Sequence, residues 1–141
     1  MKPLPLKVDD YPVDASLYVF DFCGTLFDSN TSLDFINWLA ARKYIRLGNF
    51  LNTRVKAGLG RRLAGWSPVQ HMKSRTKALT GIPTTLLESE AKAFVAEYLH
   101  IKRRPNETAF FHWCLDTGKK VVLLSFTYEQ LVNTRKYVSS T

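Results

Sequence analysis

The sequence is poor in the features that most simply assign a small protein to a class. Its two cysteines, Cys23 and Cys114, lie far apart in no metal-like spacing. That excludes a disulfide framework and a zinc site, and it suits a reducing cytosol. His71, His100 and His112 show no ligand spacing either, so no role is assigned to them. The longest aliphatic run, Val121–Leu124, falls far short of the roughly 20 residues a membrane-spanning helix needs. The opening MKPLPLKVDDYP has no apolar segment of the signal-peptide kind, and the expectation is a soluble cytoplasmic protein. No internal repeat or low-complexity segment is visible.

Acidic residues are missing from one long stretch. Between Phe35 and Leu87 there are ten lysines and arginines and no aspartate or glutamate, so much of the net charge of +8 is concentrated there. A positive face of this kind suits an anionic substrate, anionic lipid or nucleic acid, the bland alternative being a solvated basic surface. An anionic membrane surface is the macromolecular partner expected from it, and nucleic acid is not.

What is present is globular. The 141 residues are 45% hydrophobic and 13% aromatic, enough for one domain with a real core. Residues 1–15 carry three prolines and three aspartates without periodicity and read as an irregular arm. Residues 17–20 and 121–125 are continuous apolar runs of the kind found in strands buried in a parallel sheet.

Between them the pattern is helical. Leu33, Ile36, Leu39 and Ala40 begin it, with Thr31 or Ser32 as N-cap. Tyr44, Leu47, Leu51, Val55, Leu59, Leu63 and Trp66 then recur at a spacing near four, with arginines and lysines mostly between them. Gly48, Gly58, Gly60 and Gly65 are expected to break that segment into pieces. Ser67-Pro68 starts a helix ending near Leu79, Thr80-Gly81-Ile82-Pro83 stops it, and another spans about 85–100. Asn106 is expected to cap a helix over 107–116 ended by Gly118, and 128–137 reads as one more. Cys114 shares a helix face with Phe110 and Trp113 and reads as a core thiol.

The stretch Asp21-Phe22-Cys23-Gly24-Thr25-Leu26-Phe27 resembles the first motif of the haloacid dehalogenase-like (HAD) superfamily, DxDGT[LV]. Val121-Val122-Leu123-Leu124-Ser125 resembles its second, an apolar strand ending in Ser or Thr. With a helical insert between them and Gly118-Lys119 before the second strand, the order looks like the phosphoserine phosphatase-like branch with a helical cap. The resemblance implies an α/β fold: a partial Rossmann-like parallel sheet core from residues 1–30 and 103–141, with an inserted α-helical cap over 31–102.

It also implies a chemistry, a Mg²⁺-dependent phosphomonoester phosphatase working on a small phosphorylated substrate. Asp21 would be the nucleophile that forms an aspartyl-phosphate, at the strand end where α/β sheets bind ligands. Thr25 would orient the Asp21 loop and Ser125 would donate to a phosphoryl oxygen. Gly24, Ser125 and Phe126 are the expected substrate-binding residues. Mg²⁺ would take the Asp21 carboxylate and the main-chain carbonyl of Cys23.

Cys23 stands where the family usually carries the general acid/base, although dehalogenases (Tyr) and phosphonatases (Ala) also lack that aspartate. The family's third motif, a lysine, and its fourth, an acidic pair, normally follow the second by several tens of residues. Only 16 residues follow Ser125, and no acid lies beyond Glu129, so the chain is expected to be the first part of such an enzyme or a degenerate member. Two other readings stay open: a non-catalytic HAD-fold binding protein and a metal-independent dehalogenase-type hydrolase. Two strands alone would leave an open edge, so homo-oligomerisation is also expected.

Overall fold

The structure is a computed structural model that describes residues 14–125, 127 and 128. Its elements run β1 (Tyr18–Asp21), α1 (Thr31–Ala41), α2 (Leu47–Leu63), α3 (Pro68–Thr76), a 3₁₀ turn (Lys77–Leu79), α4 (Thr84–Glu97), a second 3₁₀ turn (Leu99–Lys102), α5 (Pro105–Asp116) and β2 (Val121–Leu124). Phe126 and nearly all of the helix expected over 128–137 lie outside the described residues, as does most of the N-terminal arm. Among the described residues no helix is long and apolar enough to cross a membrane.

The chain divides into two compact units, one of residues 1–30 with 95–141 and one of residues 31–94. In the first, β1 and β2 form a two-stranded parallel sheet in the register Tyr18 to Val121 through Asp21 to Leu124. Parallel strands need a long crossover, and the intervening hundred or so residues supply it. Tyr18 and Phe20 turn inward onto α5, where Phe20 meets the Phe111 ring edge-on at 5.1 Å and Tyr18 meets Phe110 at 5.7 Å. The alternate positions differ from the sequence expectation of strands buried on both faces. Val19 is 53% exposed and Leu124 57%, with Leu17 and Val122 also open. Among the described residues α5 covers one face, and period-2 alternation sends every second apolar side chain to the other.

In the second unit Phe35, Ile36 and Leu39 of α1 are fully buried with Phe94 of α4, whose ring lies 5.3 Å from Phe35. Glu90 is buried and accepts a hydrogen bond from Trp38 Nε1 at 3.1 Å, while Arg42 pairs with the same oxygen at 3.1 Å. A buried carboxylate with two donors on one oxygen satisfies the demand that desolvated charge be paired. The helix α1 begins at Thr31, which is itself buried, as is Ser32.

Helix boundaries follow local chemistry where a side chain closes them. Ser67 accepts from the Gln70 N–H and the Gln70 side chain returns to the Ser67 N–H, a complete capping box with Pro68 in the first turn. Asn106 is not a cap. Pro105 starts α5 one residue earlier, and Arg104 occupies the cap position without a side-chain cap bond. Proline at the first helical position has already removed a donor that needed a partner.

Glycine does not break α2. The helix runs unbroken through Gly48, Gly58 and Gly60, and ends at Ala64 before Gly65 at φ 62°. A β-carbon on Gly60 would overlap the Trp66 indole, which folds back onto the helix, whereas one on Gly58 would meet open space. Gly58→Ala is therefore expected to stabilise the chain by about 1 kcal/mol through helix propensity. Gly60→Ala should lose that gain, because the indole must leave its seat. Thermal or urea unfolding of the two variants checks the contrast.

Candidate functional site

The loop after β1 is built by alternation. Phe22, Leu26 and Phe27 are buried, with the Phe22 and Phe27 rings 4.8 Å apart. These anchors leave Asp21 exposed and Cys23 and Thr25 partly exposed. The chain reverses through Gly24 at φ 77°, a conformation that side chains rarely adopt. The Gly24 N–H donates to the Phe27 carbonyl at 2.7 Å, and the Phe27 N–H returns to the Phe22 carbonyl at 3.3 Å. The ladder continues past the strand, since the Phe22 N–H donates to the Leu124 carbonyl at 3.1 Å.

Asp21 and Ser125 come to the same end of the sheet. Asp21 pairs with Leu124, and Ser125 is the next residue. With strands about 4.8 Å apart and a rise of about 3.3 Å per residue, their Cα atoms are roughly 6 Å apart. The Ser125 hydroxyl oxygen accepts the Thr127 N–H at 3.0 Å. That is the turn-closing role a strand-end serine commonly has. A hydroxyl that accepts still has its own proton to donate, so closing the turn and donating to an oxyanion are compatible.

A residue that sequence reasoning passed over also holds this loop. The Arg104 guanidinium donates to the Gly24 carbonyl at 2.6 Å, and the Arg104 N–H donates to the Leu26 carbonyl at 2.9 Å. Next to it the Asp28 N–H donates to the Lys102 carbonyl at 2.7 Å, and Phe27 bridges Arg103. The loop is thus strapped to the segment leading into α5. The only signal in the sequence is Arg103-Arg104-Pro105, which reads as a linker. Arg104→Ala is expected to cost about 1 kcal/mol, the scale of one partly exposed charge-assisted bond, and to speed amide exchange at Gly24 and Leu26. Hydrogen exchange read by NMR checks it.

Cys114 is fully buried on α5, the helix on which the Phe110 and Trp113 rings stack. Burial pushes its thiol up in pKa against the opposing pull of Lys119, the signature of a core thiol rather than a nucleophile. Neither Cys23 nor Cys114 is in a disulfide.

The oxygen ligands expected for a hard cation, the Asp21 carboxylate and the Cys23 carbonyl, stand two residues apart where β1 gives way to the loop. Among the described residues no three of His, Cys, Asp and Glu converge as a metal set. Magnesium characteristically takes one or two carboxylates plus water and substrate oxygens, so these two groups suit part of such a site.

The family model described as haloacid dehalogenase-like hydrolase matches residues 18–133, most of the chain. No curated protein and no solved structure gives a significant match. The matched span opens on β1 and its Asp21 loop and includes β2 with Ser125, and the chain belongs to the haloacid dehalogenase-like hydrolase family.

Proposed function

We propose that the chain is a phosphomonoester phosphatase of this family, with Asp21 as the group that attacks phosphorus. The observation behind this reading is the exposed Asp21 at the C-terminal end of β1, before a left-handed Gly24 turn and beside Ser125 on a parallel neighbour. In this reading the first compact unit belongs to a Rossmann-like core and the unit of residues 31–94 to a helical cap.

The steps follow from the groups available. An Asp21 oxygen forms a bond to phosphorus as the ester P–O bond breaks, giving an aspartyl-phosphate and an alkoxide that must gain a proton. Water then attacks the phosphorus, releasing phosphate and restoring the carboxylate. The Ser125 hydroxyl donates to a phosphoryl oxygen, and Thr25 and Arg104 keep the Asp21 loop in place. Asp21 and the Cys23 carbonyl would hold Mg²⁺, whose chemistry when bound is to offset phosphoryl charge. The substrate class is a small phosphomonoester.

Cys23 favours a second reading, a HAD-fold protein that binds an anion without turning it over. Hydrolysis of an activated aryl phosphate separates the two. Magnesium-dependent release of phosphate that disappears in Asp21→Asn supports the phosphatase. Phosphate binding without release supports the binder, and hydrolysis indifferent to chelator points to dehalogenase-type chemistry.

A further inference from the structure

The helix α2 is packed the wrong way round for a helix in water. Its buried residues are the small Thr53, Ala57 and Gly60, which face the rest of their unit. Apart from the half-buried Phe50, its large apolar residues face outward: Leu47, Leu51, Val55, Leu59 and Leu63 are between 47% and 81% exposed. At about 100° per residue, Leu51, Val55 and Leu59 span an arc of roughly 80° opposite the buried side. Arg54 and Arg61 fall on one flank of that arc and Lys56 on the other, and Arg62 lies within it at the last turn. The helix contains no acidic residue.

We propose that the outward face of α2 docks on an anionic lipid bilayer, lying in the interface with Leu51, Val55 and Leu59 in the acyl region. An apolar arc flanked by basic residues is the physical pattern of an interfacial helix. Long arginine side chains lay their stems along the apolar boundary and hold their charge at phosphate level.

Charge decides between occupants. A second copy docking through this face would bring the four cations of one α2 against four identical ones, with no acid on either helix to offset them. A nucleic acid would satisfy the cations but offer no apolar phase to five exposed aliphatic side chains. An anionic bilayer satisfies both. The neighbourhood is positive beyond the helix itself. Burial, with the Arg61 and Arg75 guanidinium groups adding to it, holds the His71 imidazole below its ordinary pKa. A cavity of about 480 Å³ lies beside the first turn, lined by Leu33, Leu47, Phe50, Arg54 and the buried Arg75 among others.

The test uses the full chain and vesicles of phosphatidylcholine with and without phosphatidylserine, read by co-sedimentation. Binding should require phosphatidylserine and fall steeply with salt. Replacing Arg54, Arg61 and Arg62 with Ala should weaken it on the order of 100-fold. Replacing Leu51, Val55 and Leu59 with Ser should weaken it at least about 10-fold with only a small drop in the thermal melt, from the lower helix propensity of Ser. A Leu59→Trp chain should show a blue-shifted indole emission on vesicles, a readout that holds even if a triple variant folds poorly. Asp21→Asn should bind as wild type, so this result stands apart from the phosphatase reading. Equal binding to neutral vesicles, binding unchanged in either triple variant, or no binding at all overturns the proposal. So does a stable dimer that the three Ser substitutions dissociate, or duplex DNA binding that survives them.

Discussion

Asp21→Asn is expected to remove covalent phosphoryl capture altogether and to lower phosphate release by roughly 10⁴- to 10⁶-fold, the scale on which losing a catalytic nucleophile acts. The amide keeps the size and nearly the shape of the carboxylate, and the side chain is exposed at the strand end, so the fold should tolerate it. What it loses is the anionic oxygen that attacks phosphorus. The decisive readout is mass spectrometry of acid-quenched protein after incubation with an activated phosphoester. A phosphoryl adduct on the peptide holding Asp21, labile in alkali and missing from Asp21→Asn, is the expected result. An adduct elsewhere, or equal turnover in both chains, would reject Asp21 as nucleophile.

Cys23→Asp is expected to raise turnover of a non-activated phosphomonoester by roughly 10²- to 10⁴-fold, the usual contribution of positioned acid–base catalysis. The leaving alkoxide needs a proton and the attacking water must lose one. A carboxyl group positioned there can do both in turn, whereas a thiol is the poorer partner for the pair of steps. An activated aryl phosphate leaves without help, so the same substitution should change its first step little. If the wild-type chain already turns over a non-activated substrate as fast as its Cys23→Asp variant, Cys23 is no defect and the assignment of roles fails.

The sequence by itself determined the elements and the chemistry-bearing loop. Two apolar runs too short for helices, each ending in a hydroxyl or carboxylate residue, could be read as strands, and DFCGTLF carried its own turn in Gly24. The Ser67-Pro68 start was legible because the signals that begin a helix act within a few residues. Where two local signals competed, the reading slipped: Asn106 is a good cap residue, but Pro105 already fixes the first helical position.

Only the tertiary structure decided which way each element faces. The four-residue repeat of α2 marks an apolar stripe, yet the stripe points outward because Thr53, Ala57 and Gly60 give the closer backbone approach. Of its glycines, Gly60 has a reason that lies six residues away, in the indole of Trp66. The strand runs carry no sign that one face of the sheet is open. Arg104 reaches Gly24 across 80 positions of chain, and no pattern within either segment announces the other. Short-range sterics and hydrogen bonding write themselves into neighbouring residues. Packing partners distant in sequence do not, because their contact exists only once the chain has folded.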